Sequence, residues 1–381
     1  PPTLDLPTTL VAGEDLEVRV GGLAAGGAAR LLVGTALGQR SVAVSGDEDG
    51  EAVVVLDADL TRAAGELTVH ARSAGGTTRG ATTITPDAVV DPVVTVVGAR
   101  TIVADGADLA MAVAIPVDRW GNAPVDGTPA LVTRVRPGGE VEDQTVQVDG
   151  LLTWAELFSG TDAGTNRVWT SLGPRTGTAT SLVEVPAPPA GLRLRPDPEV
   201  APADPVADGR SLLGVRTGRL RDAFGNVQLD GTSVSVRWRG PDGRGAATTQ
   251  TLGGVARLVL QAPSRPGVLV LRAQSRGVRS APLRIEVAPA LERLPVSASP
   301  SGDGFVRVAV GPVLGTSGAL LDDGTPVRVV VRTDDGPVAV TGRLRDGRAD
   351  LEVPVGDRVP RRAEARVLGV AASVRVRGVA P

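Results

Sequence analysis

The chain has 381 residues, of which 42% are apolar and 22% charged, and its formal net charge is −3. It contains no Cys, Lys or Tyr, which excludes disulfides, thiolate metal sites, Cys nucleophiles and catalytic lysines. Because acids and arginines alternate along the chain, we expect no one-signed basic face of the kind that binds nucleic acid, and no apolar run reaches the ~20 residues of a membrane span.

Short apolar/polar alternations, bounded by Gly, Pro, Asp and Asn, run along the whole chain and predict β-strands with one buried face. No stretch keeps a helical period for three turns. The sequence therefore predicts an all-β protein. In chain order, the clearest predicted strands are residues 109–117, 129–136, 144–148, 167–172, 179–185, 212–220, 233–239, 255–260, 268–273, 283–287 and 327–332.

Three short motifs recur in a fixed order: Ala-Asp-Gly, then Gly-Asn, then Asp-Gly-Thr. The glycines of the first and third motifs are 21, 22 and 20 residues apart in three copies. The last copy has Gly302-Asp303-Gly304 in place of Ala-Asp-Gly and lacks Gly-Asn. Gly-Asn and Asp-Gly tolerate a positive φ, so we expect tight turns at these motifs. The copies occupy residues 103–128, 206–232 and 302–325.

The repeat period indicates tandem immunoglobulin-like sandwiches. Glycines of successive Asp-Gly-Thr motifs are 104 and 93 residues apart, close to the ~100 residues of one such sandwich. Proline clusters at residues 86–92, 186–189 and 288–290 mark semi-rigid linkers. We therefore predict an elongated rod, to be tested by small-angle scattering, with four modules at residues 1–88, 89–187, 188–289 and 290–381.

The order of these motifs resembles the bacterial Ig-like domains of the invasin and intimin type. The match is good over residues 103–135 and 206–238, partial over 302–331 and faint over 11–33. The resemblance implies a tandem β-sandwich architecture and an exported, cell-surface setting. It implies no particular receptor. Because the chain begins Pro1-Pro2, we expect any export signal or anchor to lie outside it.

Acidic loops are the candidates for a metal site, because carboxylate oxygens are the ligands that Ca²⁺ prefers. The candidates are Asp47, Asp49, Asp322 and Asp323, with Asp91 and Asp197 as additional ligands. None of the loops has EF-hand spacing, and Asp-Gly is also an ordinary hairpin turn. We expect no other cofactor.

The single histidine, His70, lies in an alternating strand without a second histidine, so the sequence predicts no catalytic residue and no enzyme. Trp154, Trp169 and Trp238 lie within strands, where we expect them in the core. Trp120 and Phe224 instead occupy the Gly-Asn turns. They either cap the end of a sandwich or serve as interaction residues that pack on a neighbouring module or stack on a sugar ring.

Three functions remain open at this stage. The first is an exported, non-enzymatic stalk, spacer or decorating subunit of a bacterial or phage surface assembly such as a filament, pilus or envelope complex, with a protein partner or a second copy as its contact. The second is a cell-surface adhesin that binds host protein or glycan through end loops. The third is an accessory binding region of a larger surface enzyme. Flat apolar patches that contact a stoichiometric partner would favour the first.

Overall fold

The computed structural model describes residues 1–90 and 92–377, which form an all-β fold, as the sequence predicts. The chain divides into two compact units, Pro1–Val185 and Pro186–Pro381. Each unit contains two groups of strands, and each group falls within one of the four predicted modules. The module boundaries themselves remain a proposal.

The first strand group packs a three-stranded sheet, β1-β3-β6, against a five-stranded sheet, β2-β8-β7-β4-β5. The pairing is antiparallel except between β2 and β8, which run parallel. A four-residue helix, α1 (Ala58–Thr61), follows β6. The strands are β1 Thr3–Asp5, β2 Thr9–Val11, β3 Leu16–Gly21, β4 Ala28–Thr35, β5 Gly38–Ser45, β6 Ala52–Leu56, β7 Gly65–Ser73 and β8 Gly76–Thr85.

The second group completes the first unit. It consists of the sheet β10-β17-β15-β12-β13, with β16 paired to β15, and the three-stranded sheet β14-β11-β9. The strands are β9 Thr95–Gly98, β10 Thr101–Ala104, β11 Leu109–Ala114, β12 Pro129–Val135, β13 Val141–Gln147, β14 Thr153–Phe158, β15 Gly164–Leu172, β16 Arg175–Thr176 and β17 Thr180–Pro186.

The third group forms one continuous path, β18-β19-β22-β21-β20-β23-β24, with β25 paired to β23. The long strand β21 joins the two faces because it pairs with β20 along most of its length and with β22 at its end. The strands are β18 Leu194–Pro196, β19 Leu212–Thr217, β20 Ser233–Gly240, β21 Gly243–Leu252, β22 Val255–Gln261, β23 Gly267–Ser275, β24 Val278–Arg279 and β25 Leu283–Val287.

The fourth group pairs the sheet β26-β27-β30 with the sheet β29-β28-β31-β32. The strands are β26 Val296–Pro300, β27 Phe305–Val310, β28 Pro326–Thr333, β29 Gly336–Arg343, β30 Ala349–Pro354, β31 Pro360–Val367 and β32 Val370–Arg375.

Alternation of apolar and polar residues builds each core. In β28, Val327, Val329 and Val331 are fully buried, whereas Arg328 and Arg332 face solvent. Side chains of a strand point alternately to opposite faces, so one apolar row is removed from water and drives the packing of the two sheets. With aromatics at only 2% of the chain, the cores consist mainly of Val, Leu and Ala.

Candidate partner-binding site

The Asp-Gly-Thr motifs form the same tight turn in all three copies. The motif glycines have φ of 85°, 83° and 82°, which confirms the predicted positive φ. Each motif threonine also donates its hydroxyl to the carbonyl three residues earlier, at 2.6–2.7 Å. The motif is therefore a local turn that introduces a strand. The residues are Gly127 and Thr128, Gly231 and Thr232, and Gly324 and Thr325.

The aspartate of each motif ties this turn to a neighbouring one. Asp323 accepts a hydrogen bond from the backbone N–H of Asp346 at 2.7 Å. Asp126 and Asp230 do the same with Gly150 and Gly253, at 3.2 and 2.6 Å. Asp323, a calcium candidate, thus has the same contact as two residues that were not candidates.

The carboxylates of two further calcium candidates, Asp47 and Asp322, also have protein partners. Asp47 accepts the backbone N–H groups of Asp49 and Glu51 at 3.0 and 2.9 Å, and Asp322 pairs with Arg210. In residues 1–90 and 92–377, no three His, Asp or Glu side chains converge to hold a metal ion. Calcium binding stays an untested prediction.

The two additional ligands proposed from the sequence are placed differently. Buried Asp197 lies 3.3 Å from the guanidinium of Arg257, whereas Asp91 lies outside the described residues.

A buried aspartate organises each Gly-Asn turn. The Asp118 carboxylate accepts four hydrogen bonds: from the backbone N–H groups of Trp120, Asn122 and Asp87, and from the Asn122 amide, at 2.8–3.0 Å. Burial would raise the pKa of Asp118, but the hydrogen bonds from Asn122, Asp87 and Trp120 hold that pKa below its usual value. The carboxylate thereby fixes the preceding linker to the turn.

The same construction recurs around Asp222 in the second unit. Its carboxylate accepts the backbone N–H groups of Phe224, Asn226 and Ala187, together with the Asn226 amide, at 2.8–3.0 Å. The pattern Asp-x-aromatic-Gly-Asn therefore carries a defined geometry, and its glycines, Gly121 and Gly225, have φ of 88° and 96°.

Trp120 packs on the first strand group. Its indole N–H donates to the carbonyl of Ala12 at 3.1 Å, and its ring lies so close to Gly13 that a Cβ there would be 2.4 Å from the indole nitrogen. Asn122 adds hydrogen bonds to the Ala64 N–H and the Arg62 carbonyl. Trp120 therefore packs on the first strand group, and its role as an interaction residue stays a prediction.

Phe224 is 46% exposed in the second unit, and its role as an interaction residue stays a prediction. His70 is exposed on β7, opposite Leu32 of β4 and Arg79 of β8. Within residues 1–90 and 92–377, neither side chain forms a hydrogen bond or an ion pair.

An exposed apolar surface covers the outer side of the sheet β14-β11-β9. Trp154 and Phe158 of β14 are 47% and 51% exposed, and Val96 of β9 is 57% exposed. The expectation that Trp154 belongs to the core is wrong, because β14 turns Ala155 and Leu157 inward instead. We call this surface the apolar face, formed by Val96, Leu109, Met111, Val113, Trp154 and Phe158.

The register places these side chains side by side. Leu109 lies opposite Phe158, and Val113 lies between Trp154 and Val96. Directly opposed and diagonal side chains in a sheet are close enough to form one continuous surface. The chain has only three Phe, four Trp and one Met, and this surface takes one of each.

The fourth strand group provides a direct comparison because its β27 and β30 have the same lengths and register as β11 and β14. Arg307 occupies the place of Met111, and Asp350 occupies the place of Trp154; these two residues form an ion pair. In the first group, the corresponding sheet exposes the ion pair Glu17–Arg19 at 2.7 Å. The apolar face therefore does not follow from the fold itself.

A buried ionic network supports one end of the apolar face. Arg134 of β12 is 1% exposed and pairs with Glu184 of β17, which is 2% exposed. Arg134 also donates to the Asn166 side chain at 2.9 Å and to the carbonyl of Phe158 at 2.6 Å. Because this last bond holds the end of β14, the network fixes the backbone that carries Phe158.

Glu184 completes the network by accepting the backbone N–H of Gly160 at 2.8 Å and the Asn166 amide at 3.1 Å. Burial and the neighbouring Arg136 lower the pKa of Arg134, against the effect of Glu184. Strand alternation alone would not place an arginine inside a core, so sequence reasoning missed this pair.

None of the helical residues within 1–90 and 92–377 forms a segment long and apolar enough to span a membrane. No protein-family model and no curated protein matches the chain.

Solved structures do match. The Escherichia coli adhesin FdeC is 20% identical, with a TM-score of 0.55, over 75% of this chain and 96% of that one. Invasin, described as a bacterial integrin-binding protein, is 13% identical with a TM-score of 0.45, over 99% of this chain and 79% of its own. InvD of Yersinia pseudotuberculosis is 14% identical with a TM-score of 0.43, over 93% and 98% of the two chains.

At these identities the likeness concerns the fold. These structural neighbours are adhesins with tandem Ig-like repeats of the invasin and intimin type, and the chain shares the tandem Ig-like β-sandwich fold of FdeC.

Proposed function

We propose that this chain is an exported, non-enzymatic structural subunit of a bacterial or phage surface assembly, and that it contacts a protein partner through the apolar face. The observation that carries the proposal is the exposure of five apolar side chains, next to half-buried Val113, on one sheet, where the matched sheets of the first and fourth groups carry ion pairs. Contiguous exposed apolar surface on a soluble domain marks a protein contact.

The composition of the apolar face suits a protein partner. Trp and Phe supply large contact areas of about 150–250 Å² each when covered, and Trp is enriched among residues that dominate binding energy. Glu156 lies between Trp154 and Phe158 on the same side of β14, opposite Met111. It adds one polar contact that can fix the register of a docked partner.

An adhesive function would use the same surface with a different occupant. FdeC is named as an adhesin, which supports the surface setting and leaves a host protein as the second candidate partner. The two functions predict different partners. A structural subunit would be found in a fixed ratio with a second subunit of the source assembly, whereas an adhesin would bind a host protein only when it meets the host.

The first prediction concerns Met111→Arg, which places on the apolar face the residue that the fourth group has at the same position. We expect the variant to fold, because Arg307 is accommodated on the matched strand. We expect its binding to the partner to weaken about tenfold or more, because the apolar contact of Met111 is lost and the new arginine, together with Glu156 opposite it, would have to be desolvated. The measurement is the native mass and composition of the chain after gentle extraction from its source.

The matched control is Leu252→Arg, which adds the same charge at a residue that is 78% exposed in the third group. Wild type and control should leave the source in a fixed ratio with a second component, and Met111→Arg should leave alone. Retention of the full complex by Met111→Arg would contradict the assignment of this face. A wild-type chain that emerges alone, and then binds a host protein through the same face, would favour the adhesin.

A further inference from the structure

The outer side of the third strand group carries six exposed arginines. They lie on adjacent strands, with Arg237 opposite Arg272 and Arg239 opposite Arg244. Neighbouring strands are about 4.8 Å apart and alternate residues about 6.6 Å apart along a strand, so the arginines form a compact grid. We call this surface the arginine face: Arg237, Arg239, Arg244, Arg272, Arg279 and Arg284.

This surface corrects an expectation from the sequence. Arginines and acids alternate along the chain, which argued against a one-signed basic face. That argument was wrong for the third group, because the sheet register collects arginines from β20, β21, β23, β24 and β25 on one side. Residues 35 or more apart in sequence, such as Arg237 and Arg272, become direct neighbours.

The positive charges of the arginine face are not neutralised by acidic side chains in the part of the protein that the structure describes. Among the described residues, none of the six forms an ion pair. Asp242, in the turn between β20 and β21, pairs with Arg265, which lies outside the face. One carboxylate, Glu286, shares the face and lies opposite Val268.

The charge of the chain is divided unevenly between its halves. Residues 1–185 contain 12 Arg and 24 acids, a formal charge of −12, whereas residues 186–381 contain 28 Arg and 19 acids, a charge of +9; together they give the −3 of the whole chain. The arginine face therefore lies in a region whose overall field attracts anions.

We propose that the arginine face binds a linear polysaccharide that carries carboxylate groups. The face borders an open groove of about 1100 Å³ in which Ser233, Ser235 and Gln274 stand between the arginines. Guanidinium forks bind carboxylates through two parallel hydrogen bonds, and hydroxyl and amide side chains bond the hydroxyls of a sugar. An anion between directly opposed arginines also relieves their mutual repulsion.

The same surface suits other polyanions less well. Single-stranded nucleic acid is held by successive bases that stack on several exposed aromatics, whereas the groove is lined by one aromatic, Trp238, which is half-buried and packs partly against the core. Base edges of duplex DNA are read by a helix or a two-stranded ribbon that enters a groove of the DNA, whereas these arginines lie on the broad outer side of a sheet of more than two strands. This inference is independent of the apolar face, which lies in the other unit.

The test is the binding of polygalacturonate to the full chain, with dextran and duplex DNA as contrasting polymers, across a range of salt. Polygalacturonate should bind with an affinity that falls as salt rises, dextran should not bind, and DNA should bind more weakly. The double variant Arg237→Ser/Arg272→Ser should lower the affinity for polygalacturonate about tenfold or more and flatten the salt dependence.

The matched control is Arg30→Ser/Arg72→Ser. These two exposed arginines are also directly opposed on an outer sheet face, but in the half of the chain that carries −12. The control should change the affinity less than twofold, about the effect of one weak surface charge. A second variant, Arg239→Ser/Arg244→Ser, repeats the test on the other opposed pair. Absence of polygalacturonate binding, equal loss in the control, or tighter binding of DNA would overturn the proposal.

Discussion

Replacement of Glu184 by alanine is expected to destabilise the first unit by about 3–5 kcal/mol, the cost of leaving one member of a buried ion pair without its partner. Arg134 would remain 1% exposed and charged, with the Asn166 side chain, the Phe158 carbonyl and the partly exposed carboxylate of Glu142, at 3.6 Å, as its remaining partners. The Gly160 N–H would also lose its acceptor. Urea unfolding followed by tryptophan fluorescence measures the loss.

Glu286→Ala is the matched control. Glu286 also lies near the end of a strand, second from the end of β25, whereas Glu184 is third from the end of β17. The side chain of Glu286 faces solvent. Its replacement should change the free energy of unfolding by no more than about 0.5 kcal/mol. Equal effects of the two substitutions would show that the buried pair contributes nothing special to the unit.

A double variant separates the pair from the packing around it. In the fourth group, fully buried Val331 occupies the position that Arg134 has after the Asp-Gly-Thr turn, which shows that the fold accepts an apolar side chain there. Arg134→Met/Glu184→Leu should therefore be more stable than Glu184→Leu alone, because no charge is left unpaired. The double variant also loses the hydrogen bond from Arg134 to the Phe158 carbonyl, so the end of β14 should be less well ordered than in wild type. Faster hydrogen exchange at β14 would detect this change.

The architecture could be predicted from the sequence because turns and alternation are local. The Asp-Gly-Thr glycines adopt the expected positive φ, and the predicted strand at residues 283–287 coincides with β25. The strand β21 was missed because Gly243 and Gly245 lie at its start and the run Ala-Ala-Thr-Thr that follows gives a weak apolar/polar contrast. Its place is set by pairing with β20 along eight residues.

The candidate site could not be predicted in the same way, since it depends on which side of a strand faces inward. In β14, both sides carry apolar residues, and the larger pair, Trp154 and Phe158, faces outward. Size alone therefore assigns the wrong side. The arginine face could not be predicted for a related reason. Each of its strands carries only one or two outward arginines, and the pairing of the strands, which the sequence does not show, brings them together.

Replacement of Asp118 by alanine should have the second-largest effect, about 3 kcal/mol at pH 7, because a buried carboxylate that accepts four hydrogen bonds leaves its donors unpaired when it is removed. The turn that it organises also carries Trp120 against Gly13 and Ala12. The loss should therefore appear both in the unfolding free energy and in the fluorescence of Trp120.

The effect should depend on pH in a defined direction. The pKa of Asp118 is lower in the folded state than its ordinary value, so its contribution is fully present above the unfolded pKa of about 3.9 and is lost as the pH falls through the folded value. Asp118→Asn should accordingly differ from wild type by a constant amount above about pH 5, and the difference should shrink towards pH 3.

Asp126→Asn provides the comparison that makes this prediction specific. Asp126 is exposed in the next turn and accepts one backbone hydrogen bond, from Gly150, so its replacement should cost no more than about 1 kcal/mol. If both variants lost the same stability at every pH, Asp118 would be one more surface turn residue. A loss confined to Asp118→Asn, and fading in acid, would assign the strength of this turn to its buried charge.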